Sequence, residues 1–266
     1  MRNPGQRGRT QKVFVHRHSV DDAAVRRRPD EVIVEEPMSI ELDGTRVSTT
    51  MRTPGNDYEL AVGICHTEGL LGNAKVTGVR YCADGPAIES EFNIVTVDTG
   101  GKAPEPTPRL GSTSSSCGLC GSEAIEQLTD RLAPLDAEPF DPTLLIDVAE
   151  RVREAQPLFL KTGAVHAAAS FTPDGEIVHL REDIGRHNAV DKIVGRMILD
   201  DEMPTPGLGL FVSGRASFEM VQKAWAGGFG TIVSVSAPSA LAIDTARAGG
   251  IQLAGFIRNG EINVYL

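Results

Sequence analysis

The sequence predicts a mixed α/β protein, α+β overall, in which a β-rich N-terminal unit precedes an α/β core. Three observations carry that prediction. Residues 31 to 100 read as short strands of alternating polarity separated by turn residues. Residues 188 to 256 alternate helical with strand periodicity, which implies a partly parallel sheet with helices on its faces. Between the two lies Ser114-Ser115-Ser116-Cys117-Gly118-Leu119-Cys120-Gly121, a thiol pair bracketed by glycines that suits a loop presenting sulfur.

Composition bounds the possibilities. The chain has 266 residues and a formal net charge of −10. Residues 1 to 30 hold eight Lys/Arg against three acids, leaving 18 basic and 33 acidic residues beyond. An acidic body disfavours nonspecific nucleic-acid binding, which needs a basic face to neutralise phosphates, but it leaves room for a local anion pocket. No run approaches the roughly eighteen apolar residues of a membrane span, and Met1 to Thr10 lacks an apolar signal-peptide centre. Neither membrane insertion nor export is expected, and the cytoplasm is the default compartment. Four cysteines, Cys65, Cys82, Cys117 and Cys120, are too few in so long a chain for a disulfide framework.

Taken in order, residues 1–30 read as a disordered basic arm, with an organellar presequence as the rival that Asp21 and Asp22 oppose. Residues 31–108 form the β-rich unit. Strands are predicted at Val32 to Val34, Ser39 to Leu42 and Arg46 to Arg52, the last two joined by Asp43-Gly44. A helix follows over Tyr58 to Gly69 with Cys65 on its apolar side, where a free cysteine packs as a core residue. Strands at Val76 to Cys82 and Glu91 to Val97 complete the unit, and Gly100 to Pro108 is a linker. Residues 109–133 are the Cys-x-x-Cys loop and a helix starting at Ser122, whose positive end would favour thiolate at Cys120 against the opposing Glu123.

Residues 134–266 are the α/β core with an anionic-ligand pocket. Asp141-Pro142 supplies a cap and an N1 proline for a helix through Val152. Gly163 to Phe171 and Ile177 to Arg181 form a hairpin about Pro173-Asp174-Gly175. Helices are expected at Asn188 to Leu199, Phe218 to Ala226 and Leu241 to Ala248. The intervening strands are Gly209 to Ser213, Thr231 to Val235 and Ile251 to Phe256.

Ligands in such sheets gather at the carboxyl ends of the strands. There the sequence offers Ser213-Gly214-Arg215, Ser236 to Ser239, and Phe256-Ile257-Arg258-Asn259-Gly260. The segment Arg181 to Lys192 packs cations, acids and His187 into a glycine-containing loop opening a helix, so Arg186 and His187 are candidates for an anion site. The alternative is internal pairing among Glu182, Asp183, Arg186 and Asp191. His166, among small apolar residues, is either a second site histidine or a buried structural one. Lys161, Lys192 and Lys223 are weaker candidates that usually prove to be surface lysines.

The thiol pair has three readings: half of a zinc site needing Cys65, Cys82 or His66 as partners, a redox dithiol, or a sulfur relay through a persulfide. The residues argue against nucleobase deaminase chemistry, since His166 is followed by Ala167 and Ala168 in place of a His-x-Glu carboxylate, no proline precedes Cys117 and the cysteines come first.

With these residues assembled, the chain resembles the FdhD family of sulfur carrier proteins required for formate dehydrogenase. The matching segments are Met51-Arg52-Thr53-Pro54-Gly55, Ser115-Ser116-Cys117-Gly118-Leu119-Cys120-Gly121, Thr162-Gly163-Ala164-Val165-His166-Ala167, Glu182-Asp183-Ile184-Gly185-Arg186-His187-Asn188-Ala189, Ser213-Gly214-Arg215 and Gly255-Phe256-Ile257-Arg258. Ala164 departs from a usual second glycine. The resemblance implies that a cysteine desulfurase passes sulfur to Cys117 as a persulfide, with Cys120 assisting. Sulfur then goes to the molybdenum cofactor, bis(molybdopterin guanine dinucleotide), bound as a substrate and not as a resident cofactor, before its insertion into formate dehydrogenase. It further implies a homodimer, a three-layer core like that of cytidine deaminases, and cofactor contact by Phe256, Ile257, Arg258, Asn259, Gly260 and Glu261; the residues read independently as an anion site, Arg186, His187, Arg215 and His166, suit the same multiply anionic ligand, and no bound metal is expected.

Overall fold

In the computed structural model, which describes residues 8–19, 25–81, 92–105, 121–203, 205, 207–258 and 260–266, the alternating second half closes into one six-stranded sheet. Its strands are β7 (His166–Phe171), β8 (Ile177–Asp183), β9 (Gly209–Val212), β10 (Thr231–Ser234), β11 (Gln252–Arg258) and β12 (Glu261–Val264), in the order β12-β11-β10-β9-β7-β8. As the pattern predicts, β9, β10 and β11 run parallel. The β7–β8 hairpin joins antiparallel to β9, and β12 returns antiparallel along β11.

Strand periodicity sends successive side chains to opposite faces, and both faces are covered. Ala168, Leu210, Val212, Ile232 and Leu253 pack in one buried cluster with residues of α5 (Arg186–Leu199), α6 (Phe218–Ala226) and α7 (Ala240–Gly249). Their neighbours Ala167, Ala169, Phe211, Val233 and Ala254 join a second cluster with Leu145, Val148 and Val152 of α3 (Pro142–Glu154). The result is three layers, helix on sheet on helix. The sequence signals at α3 are used as expected: Pro142 opens the helix and the Asp141 carboxylate accepts the Thr143 N–H at 2.9 Å.

The first half builds a four-stranded sheet from β3 (Glu36–Leu42), β4 (Thr45–Arg52), β5 (Gly78–Tyr81) and β6 (Ile94–Asp98), in the order β4-β3-β6-β5. The β3–β4 turn places Asp43 at φ 48° and Gly44 at φ 85°, the left-handed pair that a two-residue Asp-Gly hairpin loop requires. Helix α1 (Asp57–Thr67) covers this sheet with Leu60, Ala61, Ile64 and Cys65, and Cys65 is fully buried as expected.

Four features differ from the sequence reading. Residues expected to be a mobile arm instead form an antiparallel ribbon, β1 (Thr10–Arg17) with β2 (Arg26–Ile33). Its arginine-rich composition hides the alternation. The ribbon is held by Arg9, whose carbonyl accepts the Val34 N–H at 2.9 Å and whose guanidinium reaches the Glu182 carbonyl at 3.3 Å, while Arg27 lies over the Phe14 ring. The short helix α4 (Pro157–Thr162) is also unanticipated, because its cap comes from far along the chain: the two Glu182 carboxylate oxygens accept the Leu158 and Phe159 N–H groups at 3.0 and 2.8 Å. Strand β12 lies beyond the last strand the periodicity marks. Helix α2 (Gly121–Thr129) starts one residue before the expected Ser122.

The two halves meet where α1 crosses α5. A Cβ on Gly63 would lie 1.8 Å from the Asp191 carbonyl oxygen, and one on Gly195 would lie 1.7 Å from that of Glu59. The helix backbones themselves are in contact, so any side chain at either position forces them apart. Gly195→Ala is therefore expected to lower the unfolding free energy by roughly 3 kcal/mol, whereas Gly207→Ala, in open space, should change it by less than about 0.5 kcal/mol. Urea unfolding of the two variants checks this; a neutral Gly195→Ala would show that the crossing can relax.

Candidate anion site at the sheet edge

One edge of the large sheet gathers the carboxyl ends of β8, β9, β10 and β11 and the amino end of the antiparallel β7. The connections leaving it start α5, α6 and α7, so three helix N-termini open onto the same edge. Each offers backbone N–H groups with no partner inside its helix and a partial positive charge. Ser239 caps α7 through the Ala242 N–H at 3.2 Å. Helices α5 and α6, by contrast, begin at Gly185 and Ser217 without a side-chain cap, and the buried Ser217 hydroxyl has no hydrogen-bond partner among the described residues.

His166, Arg186 and Ser213 come together here. His166 Nδ1 lies 3.2 Å from Ser213 Oγ, which also accepts the Ala167 N–H at 2.9 Å. Arg186, in the first turn of α5, runs its stem beside Gly214, where an added Cβ would be 3.3 Å from Arg186 Cδ and 3.8 Å from His166 Cε1. Gly214 therefore makes room for both side chains. Burial lowers the His166 pKa below the ordinary imidazole value, and the charges of Arg186 and His187 push it the same way against Asp183. The imidazole is held neutral. His187 reaches α6 instead, with Nε2 3.0 Å from Glu219 Oε2, and the interaction with His187, aided by the Arg186 charge, keeps the Glu219 carboxyl below its usual range.

Most other charges of the Arg181–Lys192 segment are structural. Asp183 is fully buried, paired with Lys192 at 2.7 Å, and accepts from the Thr53 and Gly185 N–H groups and the Asn188 amide. Asp191 pairs with Lys223 at 2.9 Å, and Glu182 caps α4. Among the described residues Glu182, Asp183, Arg186 and Asp191 do not pair with one another, but the segment is salt-bridged internally in part, since Lys192, the partner of Asp183, lies within it. Lys192 and Lys223 are not surface lysines but buried ion-pair members, and only Lys161 is exposed. Arg186 makes no ion pair among the described residues.

The remaining candidates are spread along the edge. Arg215 is exposed just past β9. Two strands away, Arg258 lies 5.6 Å from the Phe256 ring centroid, and Phe256 adopts φ 56° where the β11–β12 register shifts between Gly255 and Arg258. A bulky residue in that conformation is strained. Ile257 points into the α3 side of the core and is 8 % exposed, while Gly260 and Glu261 are exposed at the β12 turn. Asn259, Cys117 and Cys120 lie outside the described residues. Cys120 adjoins Gly121 at the start of α2, whose Leu128 is buried with the α5–α7 cluster. Of the extra zinc ligands considered, Cys65 is buried with its thiol pushed up to about 12, and His66 Nε2 is 2.8 Å from the Ala226 carbonyl. The sequence reading names Ser213 only as part of the Ser213-Gly214-Arg215 strand exit and passes over Ser217 and Glu219; the serine immediately before the α6 start was the available signal for Ser217.

Comparison with known proteins adds an independent line. A profile of the FdhD/NarQ family matches residues 33–266. The protein named sulfur carrier protein FdhD in Corynebacterium efficiens is 44% identical over 251 residues, 91% of this chain and 91% of that one. Its namesake in Streptomyces avermitilis is 45% identical over 255 residues, 92% of this chain and 90% of that one. A crystal structure of a putative formate dehydrogenase accessory protein from Desulfotalea psychrophila superposes with a TM-score of 0.72 at 25% identity, covering 96% of this chain and 95% of its own.

The electrostatics of the site predict that His166 titrates below the ordinary value and that Arg186→Ala moves it upward, by removing a cation that opposes ring protonation. NMR titration of the histidine ring protons checks both. Because the folded ring binds its proton less readily than the unfolded one, it contributes stability that is full above the unfolded pKa of about 6.5 and is lost as pH falls from there toward the folded value.

Proposed function

The chain belongs to the FdhD/NarQ family, and from that premise we propose that it is a sulfur carrier serving formate dehydrogenase. It accepts sulfur from a cysteine desulfurase and passes it to the molybdenum cofactor, bis(molybdopterin guanine dinucleotide), held as substrate at the sheet edge. The observation that carries the reading is the family relationship, which runs from residue 33 to the end and so includes Cys117, Cys120 and the Arg186 loop.

In this reading the Cys117 thiolate attacks the outer sulfur of the desulfurase persulfide, displacing the desulfurase thiolate and leaving a persulfide on Cys117. Attack of the Cys120 thiolate on the inner Cys117 sulfur releases hydrosulfide for the metal and leaves a Cys117–Cys120 disulfide. A dithiol reductant restores the pair. The substrate carries several phosphates, and the edge supplies what such an anion needs: a guanidinium at Arg186 that makes no ion pair among the described residues, two helices without side-chain caps, and an imidazole whose neutral form is favoured by burial. Phe256 and Arg258 further along the same edge suit a planar base. We take the protein to act as a cytoplasmic homodimer; no helix among the described residues is long and apolar enough to cross a membrane.

Incubation with a cysteine desulfurase and cysteine should add one sulfur to the peptide containing residues 117–120, detected by mass spectrometry. Cys117→Ala should abolish that gain and leave GDP binding intact. Arg186→Ala should weaken GDP binding about tenfold, the loss of one charge-assisted hydrogen-bonding group, without affecting sulfur loading. Stoichiometric zinc held by both thiols, or unchanged GDP affinity in Arg186→Ala, would overturn the relay or the anion site respectively.

A further inference from the structure

Ser213 occupies a place in the site that the family relationship does not explain. It ends β9 beside β7 and is tied to that strand twice: its N–H donates to the Ala167 carbonyl at 3.0 Å, and its Oγ accepts the Ala167 N–H at 2.9 Å. The hydroxyl is thus fixed in position with one lone pair engaged, and it still has a proton to place. Among the described residues the only other group in hydrogen-bonding contact with it is Nδ1 of His166, 3.2 Å away.

A neutral imidazole has one donor and one acceptor nitrogen. If Nδ1 carried the proton, it would donate to the second lone pair of Oγ, and the serine proton would be left without an acceptor among the described residues. If Nδ1 is bare, the serine proton has its acceptor: the Ala167 N–H donates to Oγ, Oγ–H donates to Nδ1, and Nε2 carries the ring proton. The groups facing the ring from other elements are Arg186 and His187 on α5, Asp183 at the end of β8 and Ser213 itself on β9. The nearest of the cations, Arg186, shares the space above Gly214 with the ring, and it favours an uncharged neighbour.

We propose that Ser213 is a positioning residue whose hydroxyl donates to His166 Nδ1 and locks the ring in the tautomer with its proton on Nε2, making His166 a fixed hydrogen-bond donor to an anionic ligand. The arrangement resembles the way an outer partner sets the tautomer of a working histidine elsewhere in protein chemistry. Arg186 supplies charge and His166 supplies direction. The half of the inference that concerns the ligand rests on the anion-site reading above; the half that concerns the tautomer does not.

The test uses the full chain, free of ligand, with the His166 signals identified by their loss in His166→Gln. Nitrogen-15 spectra that correlate ring nitrogens with ring protons should show a protonated Nε2 and a bare Nδ1. Ser213→Ala should raise the His166 titration midpoint, because the lost hydrogen bond favoured the neutral ring, and Ser213→Thr should restore the wild-type value. If Ser213 were merely an acceptor of Nδ1–H, its removal would lower the midpoint instead; that result, or an Nδ1–H signal in the wild-type protein, overturns the proposal. Should Ser213→Ala not fold, the wild-type spectrum alone decides. For the ligand, GDP affinity should fall several-fold in Ser213→Ala and recover in Ser213→Thr, and equal affinities would refute the donor role. Failure of the wild-type chain to bind GDP at all would count against the anion site while leaving the tautomer to the spectra.

Discussion

The crossing of α1 over α5 leaves no room for one extra carbon at Gly63 or Gly195, and much else follows from that contact. Helices normally keep their axes apart by the side chains between them; here backbone meets backbone, and polar groups beside the crossing are cut off from water. Such groups must pair. Thr67 Oγ1 donates to Asp191, Arg181 grips Glu59 through two nitrogens, and Lys192 reaches the Thr53 carbonyl as well as Asp183. The loop entering α1 and the loop entering α5 are therefore stitched together, with the Thr53 hydroxyl accepting the Ile184 N–H. The small sheet unit serves as a buttress that fixes the start of α5, and with it Arg186.

The same stitching sorts the charged residues by job. A buried ion pair adds little net stability, since desolvation offsets attraction, but losing one partner costs several kcal/mol, about 3–5. Lys192, Lys223, Arg52 and their carboxylates are committed in this way and cannot also serve a ligand. Lys223, placed between Asp191 and Glu68, has its pKa raised despite burial, so its charge is permanent at any physiological pH. Arg186 differs from all of these. It sits one residue after a helix cap made by a glycine, with its carboxylate neighbour Asp183 already saturated by Lys192, Thr53, Gly185 and Asn188. Saturating Asp183 is what leaves the guanidinium available.

What the sequence disclosed depended on whether the signal was local. Asp43-Gly44, Asp141-Pro142 and the alternation of strands and helices after Asn188 are written in neighbouring residues, and each element formed within a few positions of its expected place. Helix α4 could not be read because six residues show no period and its cap, Glu182, arrives from across the fold. The β1–β2 ribbon was obscured by arginines whose stems and charges dominate composition while the backbone pairs regardless. At the site, residue types marked His166, Arg186 and His187 as candidates, but which of them meet was a question of topology. Placing His166 against Ser213 requires β7 to run antiparallel to β9, and nothing in the spacing of the two segments states that. Likewise the acids beside Arg186 looked capable of neutralising it, and only their buried partners show that they do not.

An acidic protein proposed to hold a multiply charged anion presents an apparent conflict that distance resolves. At physiological salt, exposed charges lose most of their influence beyond about 8 Å, so the ten excess negative charges act weakly on a ligand unless they lie at its own rim. What matters is the first few ångströms, and there the sheet edge presents Arg186 and the amino ends of α5 and α6, with Arg215 and Arg258 further along. Glu219 is the carboxylate reaching that edge from α6, and His187 holds it. A sulfur relay sharpens the requirement, since a thiolate or persulfide approaching such a substrate brings a further negative charge. Fixed backbone dipoles and an arginine that makes no ion pair among the described residues would offset that repulsion without themselves titrating, whereas a cluster of lysines paired to acids would already be spent. On the proposed reading, recognition falls to a small positive edge and the acidic body stands apart from it.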